Sequence, residues 1–109
     1  MNISENKLAK DPYDKLIFEQ GIRAKNLFFD KDLDLMLVVL NNGKVLHFKI
    51  SDFLRLQNAT LSQLSNWKLE QGGIAVSWDE LNEDLSVKGF LKQAAMNEVF
   101  HHLAAVTQS

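Results

Sequence analysis

The chain has no cysteine in its 109 residues, and only one proline and five glycines. Without thiols there are no disulfide frameworks, thiolate zinc sites or cysteine nucleophiles, and the redox compartment is left undetermined. No window reaches membrane-spanning length. The opening stretch MNISENKLAKDPYDKL holds no apolar run that would serve as a signal-peptide core, so a cytoplasmic location without membrane contact is expected. Charge of one sign is also missing. A net charge of −2 with scattered basic residues gives no global attraction to phosphate backbones, and nucleic acid is not an expected partner. Also absent are a Ser/His/Asp order, a His-Glu-x-x-His helix and a phosphate loop: QGG at Gln71–Gly73 lacks the lysine and the following helix that such a loop needs.

What is present describes an ordinary globule, 46% hydrophobic and 24% charged. At this length one core can be stable without a metal or cofactor, and none is expected. Residues 1–10 are polar and unpatterned and are expected to fray, leaving a single α+β domain over 11–105. Asp11 as N-cap, Pro12 at the first helical position and Gly21 as a left-handed stop predict a short helix, with Leu16 and Ile17 facing the core. IRAKNLFF, with apolar residues at Ile22, Ala24, Leu27 and Phe29, and the continuous apolar run DLMLVVL read as strands. The Asn41–Gly43 link and KVLHFKI complete a hairpin.

Beyond Ser51 the pattern turns helical. SDFLRLQ is expected to form a turn behind a serine cap, and TLSQLSNW a second one, with Thr60 and Gln63 placed as a capping box. KLEQGGIAVSW predicts a hairpin turning near Gly72 and Gly73. From Ser86 the 3.6-residue spacing of Val87, Leu91, Ala95, Val99 and Leu103, flanked by Phe90, Ala94, Met96 and Phe100, predicts a helix of about five turns over about 86–105. The line through Leu91, Ala95, Val99 and Leu103 is expected to lie on the sheet. Met96, Phe100 and Ala104 fall beside it and form a candidate partner surface, open to another protein or to a second copy of the chain.

The acidic stretch SWDELNEDLSV, Ser77–Val87, raises the question of chemistry. Asp79, Glu80, Glu83 and Asp84 are oxygen donors of the kind that calcium and magnesium require, but they lack the alternate spacing of a calcium loop. They are read instead as an acidic rim preceding the helix, where the positive end of the dipole favours carboxylates and where Asp84 or Ser86 can cap free amides. Trp67 and Trp78 are assigned to the core or its rim by their apolar area. His47 alternates away from the apolar face of its strand and is read as solvated. The adjacent His101 and His102 diverge by about 100° on a helix and cannot readily chelate one ion.

The run LNNGKVLHFKISDFLRLQNATLSQLSNWKLEQGGIAVSWDELNEDLSVKGFL, residues 40–91, resembles the bacterial family known as domain of unknown function 2442. The likeness rests on a strand-turn-strand opening, an Asn-Ala-Thr step, an Asn-Trp pair, a glycine-rich turn and a tryptophan followed by a Leu-x-Glu-Asp-Leu-Ser-Val run, and it extends upstream to about Ile22. Asp52, Ser77 and Asp79 depart from residues common in the family: an aromatic, a histidine and a proline, respectively. The resemblance implies a small antiparallel sheet of four or five strands with short helices and a long C-terminal helix packed on one face, and no catalytic residues. For some members it implies the antitoxin-side partner of a small companion protein. The leading expectation is thus a non-enzymatic protein-interaction module, with an antitoxin-like role as its narrower form. The alternative is a small metal- or metabolite-binding enzyme using the acidic 79–84 segment with His47.

Overall fold

The computed structural model describes residues 11–108, with side chains to Leu103. The frayed segment expected over residues 1–10 lies outside them. The chain begins at a short helix, α1, whose regular turn Pro12–Asp14 widens into a π-helical turn over Lys15–Glu19. The Asp11 carboxylate accepts from the Tyr13 and Asp14 amides at 2.8 and 3.4 Å, the capping expected of an aspartate before Pro12. Gly21 ends the turn at φ +71°, Ile17 is buried and Leu16 packs against the core.

Strands β1 (Ala24–Asp30), β2 (Leu35–Leu40) and β3 (Val45–Lys49) form an antiparallel sheet in that order. A bulge between Ala24 and Asn26 resets the alternation of β1, so that Ala24 and Leu27, three residues apart, both point inward. In β2, Met36, Val38 and Leu40 are buried while Leu35, Leu37 and Val39 occupy the opposite face, half covered. The β2–β3 connection closes through Leu40 N–H to Lys44 O and Gly43 N–H to Leu40 O, at 2.8 and 3.0 Å, with Gly43 at φ +88°. The Asn-Asn-Gly signal therefore marks a real hairpin.

The next segment departs from expectation. Ser51 caps nothing; a single 3₁₀ turn, Ile50–Asp52, is followed by irregular turns. Ile50 and Leu56 are buried, Phe53 packs edge-on against Phe48 and Phe90, and Leu54 faces water at 84% exposure. Ser51 is instead tied to Asp34, whose carboxylate accepts from both its amide and its hydroxyl. The capping box appears as predicted: helix α2 (Leu61–Ser65) opens with Thr60 and Gln63 bonded reciprocally at 2.9 and 3.1 Å.

Strands β4 (Lys68–Glu70), β5 (Ala75–Trp78) and β6 (Glu83–Ser86) make a second antiparallel sheet, with a 3₁₀ turn Gln71–Gly73 between the first two. The expectation of one sheet with four or five strands is thus corrected to two sheets of three. Among the described residues no ladder joins β1–β3 to β4–β6, and the added strand is β6: residues that sequence reading assigned to the approach of the helix pair instead with β5, from Ala75–Ser86 to Trp78–Glu83. The two sheets and α2 share one core, in which Trp78 is fully buried, its indole N–H donates to Leu64 O at 2.9 Å and its ring meets Phe29 edge-on. Trp67 packs at the margin of this core. Among the described residues no buried polar side-chain atom lacks a partner.

Helix α3 (Val87–Gln108) leaves directly from β6, with Ser86 Oγ accepting from the Gly89 amide at 3.0 Å. Its first turns bury Val87 and Phe90 and pack Leu91 and Ala94 on the core. Further along, Met96, Val99, Phe100 and Leu103 are exposed.

Two aspartates report on acid stability. Asp11 accepts from Lys88 Nζ at 2.7 Å, and Asp14 lies 3.1 Å from the same ammonium, so the chain before β1 is clamped to the start of α3. The Lys88 hydrogen bond holds the Asp11 carboxyl below its ordinary value of 3.8, and the Ser51 hydroxyl does the same for Asp34. A carboxyl lowered in the folded state stabilises the fold fully above its unfolded value and loses that contribution as pH falls through the folded value. Stability should therefore fall as pH drops below about 3.8, and the fall should be shallower in Asp11→Asn and in Asp34→Asn. Urea midpoints measured between neutral pH and pH 2.5 check this; identical acid limbs in all three proteins would reject it.

Candidate interaction surface

Helix α3 advances about 100° per residue, which sorts its side chains into two sets. Val87, Phe90 and Ala94 point to the core. Val99 lies about 180° around the axis from Phe90, and Met96 and Leu103 lie about 120–140° away, on the far side. Met96, Val99, Phe100 and Leu103 are 52%, 55%, 63% and 52% exposed, a contiguous apolar stripe at i, i+3, i+4 and i+7 with no described residue over it. The sheet-facing line expected through Leu91, Ala95, Val99 and Leu103 is therefore corrected. Leu91 packs as expected, but Ala95, Val99 and Leu103 are exposed, because burial of Val87, Phe90 and Ala94 turns that side of the helix away from the core. Of the residues singled out from sequence, Met96 and Phe100 are on the open surface; the side chain of Ala104 lies outside the described residues.

Between this half of α3 and strand β3 runs an open groove of about 660 Å³. Leu33, Leu35 and Val45 supply apolar lining from the sheet side and Ala94 and Phe100 from the helix, with Asp34, His47, Glu98 and His101 at its polar positions. Strand β3 is an edge of its sheet. The outer face of that sheet is apolar as well: Phe28 pairs across to Leu37, and Val39 to Val45, with Phe28 and Val45 53% and 41% exposed. Sequence reading named none of Phe28, Leu33 and Val45 as a surface candidate. The signal for an apolar outer face was in the neighbouring run DLMLVVL, residues 34–40, since a half-solvated strand would alternate and this one does not.

The acidic residues lie elsewhere. Asp79, Glu83 and Asp84 line a separate, shallow hollow with Glu70, Ser77, Trp78 and Asn82. Asp79 pairs with Lys68 at 3.1 Å, which raises the Lys68 pKa, and Glu70 accepts from the buried Ser77 hydroxyl at 2.8 Å. Glu83 and Asp84 stand on β6, so the helix-start role expected for the cluster falls to Ser86 alone. Glu80 is exposed in the turn. His47 is exposed on β3, as expected, and lines the groove rather than the acidic hollow. Among the described residues no group of three His, Asp or Glu side chains is placed to hold a metal ion, and no helix is long and apolar enough to cross a membrane.

Comparison with known proteins agrees with this architecture and supplies no chemistry. A search of curated proteins returns no match. The crystal structure of a protein of unknown function from Rhodospirillum rubrum is similar, with a TM-score of 0.59 and 26% identity over 66% of this chain and 87% of that one. The solution structure of the uncharacterised protein CV0863 from Chromobacterium violaceum shares the fold with a TM-score of 0.61, at 24% identity over 84% of this chain and 85% of that one. The family model described as protein of unknown function DUF2442 matches residues 24–95, from the start of β1 into the first half of α3. The chain therefore belongs to the DUF2442 family, and the exposed stripe from Met96 to Leu103 lies just beyond the segment that defines membership.

Proposed function

We propose that the chain is a non-enzymatic protein-interaction module that docks a protein partner on the second half of α3. The observation that carries this reading is the stripe Met96, Val99, Phe100 and Leu103, four large apolar side chains each more than half exposed on one helix. Isolated exposed apolar residues are ordinary, but a contiguous stripe on a projecting helix loses free energy in water that a partner's surface recovers. The groove beside β3 extends the same surface and adds polar positions that fix orientation. An antitoxin-like role, binding a small companion protein, is one form of this function.

The competing enzyme reading requires the 79–84 carboxylates to act with His47, and these residues line different surfaces. Phe100→Asp is expected to lower recovery of a stoichiometric partner, captured on tagged full-length protein from the native host, by at least tenfold. The melting temperature should change little, because Phe100 is 63% exposed. Capture unaffected by Phe100→Asp, or the bait recovered alone, would reject the reading.

A further inference from the structure

We infer that the partner enters as an extended strand: an apolar, cationic peptide segment adds to the free edge of β3, in the groove between that strand and α3. This deepens the interaction-module reading and rests on it. The ladder to β2 fixes which backbone groups are free. Leu40 N–H donates to Lys44 O at 2.8 Å and Ile50 N–H to Asp34 O at 3.2 Å, so in this unbroken register the hydrogen-bonded pairs between them are Val38 with Leu46 and Met36 with Phe48. Bonded and non-bonded pairs alternate, and the amides and carbonyls of Val45, His47 and Lys49 therefore point away from β2, toward the groove. None of these groups has a backbone partner among the described residues. Such a row of alternating donors and acceptors is complementary to one thing, another extended backbone.

The edge is also unguarded. Sheet edges are ordinarily blunted by proline, a bulge, charges along the strand or a covering element. Strand β3 has a regular register and no proline, and its single formal charge, Lys49, stands at its last residue. The opposite wall is one face of α3, Ala94, Asn97, Glu98 and His101 at i, i+3, i+4 and i+7, with about 660 Å³ open between. A five-residue strand, about 17 Å long, 4.8 Å wide and 10 Å deep with its side chains, takes roughly 800 Å³. The groove thus receives a single strand whose outer side chains remain in water. A folded copy of this chain would have to bring β2 and α3 along with its own β3.

Charge names the segment. Three carboxylates, Asp34, Asp52 and Glu98, line the groove against one ammonium, Lys49. Among the described residues neither Asp52 nor Glu98 forms an ion pair. The remaining lining includes Leu33, Leu35, Val45 and Phe100. A segment that alternates apolar side chains with lysine or arginine matches both features: its backbone bonds to β3 give affinity, and its alternate side chains meet the apolar lining and the carboxylates.

A displayed library of random dodecapeptides, selected on full-length protein, should enrich sequences in which apolar residues alternate with lysine or arginine. With the best of them synthesised and added, the amides of Val45, His47 and Lys49 should exchange with solvent about tenfold more slowly, as hydrogen-bonded strand amides do. An edge strand tolerates proline where its N–H faces outward, so His47→Pro should keep a cooperative melt and weaken the peptide about tenfold by removing a donor. Methylating alternate backbone nitrogens of the peptide tests the same bonds without altering the protein: one phase should abolish binding and the other leave it unchanged. No enriched peptide, binding indifferent to either methylation phase, or protection confined to α3 would overturn the inference. So would a dimer, seen by sedimentation, that His47→Pro dissolves, since a second copy would then own the edge. A companion protein whose capture falls with Phe100→Asp but not with His47→Pro would overturn strand addition and leave the interaction module standing. Capture indifferent to both substitutions would remove both.

Discussion

Trp78→Ala should lower the free energy of unfolding by about 3–5 kcal/mol, the range for deleting a buried aromatic side chain. That is a large share of the roughly 5–15 kcal/mol that holds a domain of this size together. The expectation rests on where the indole sits. Trp78 is fully buried on β5, touches Phe29 of β1 at a ring-centroid distance of 6.5 Å and donates its N–H to the Leu64 carbonyl of α2. One side chain therefore joins both sheets and a helix, and removing it opens a cavity where three elements meet. Trp78→Phe keeps much of the apolar area but leaves the Leu64 carbonyl without its donor, and about 1–3 kcal/mol is expected for that loss. Urea denaturation followed by far-ultraviolet circular dichroism measures both variants. Equal costs for the two would show that burial of the carbonyl, not of the ring, dominates.

Gly73→Ala should cost about 2–4 kcal/mol through two effects at one residue. Gly73 adopts φ +105°, outside the range of L side chains, and a β-carbon there would drive into the Ala24 carbonyl oxygen and press on Arg23. The neighbouring Gly72 provides the control. It has φ +70° but open space where a β-carbon would lie, so Gly72→Ala should cost only about 1–2 kcal/mol of left-handed strain. If the two alanine variants prove equally stable, close approach of the turn to β1 is not what requires the glycine. This contact is long-range: the 3₁₀ turn between β4 and β5 lies against the first residue of β1, and the glycine permits the second sheet to seat on the first.

Several elements were legible because their signals are local. Asp11 with Pro12, Thr60 with Gln63, and the Asn41–Gly43 link each specify a backbone geometry through atoms a few residues apart, and each appears where the residues place it. The hairpin that turns near Gly72 and Gly73 is of the same kind. Family membership was legible for a related reason: several short motifs, from the strand-turn-strand opening to the Leu-x-Glu-Asp-Leu-Ser-Val run, stand in the family's order over residues 40–91, within the matched 24–95. Strand β6 was not legible. Glu83-Asp84-Leu85-Ser86 combines carboxylates with a cap residue, which locally favours the start of a helix. It becomes a strand because β5, paired with β4 on one side, offers its other edge, which is a tertiary feature that the local residues do not encode.

The interaction surface divides in the same way. The sequence by itself determined that α3 is a long helix with apolar residues on more than one side, since 3.6-residue periodicity is a property of the chain alone. Which of those sides is buried depended on how the helix is rolled where it leaves β6. Val87, Phe90 and Ala94 face the core, which turns Val99, about 180° around the axis from Phe90, to the outside. Periodicity therefore established the apolar faces, and only the packing of Phe90 against Phe48 and Phe53 decided that the face around Val99 looks outward.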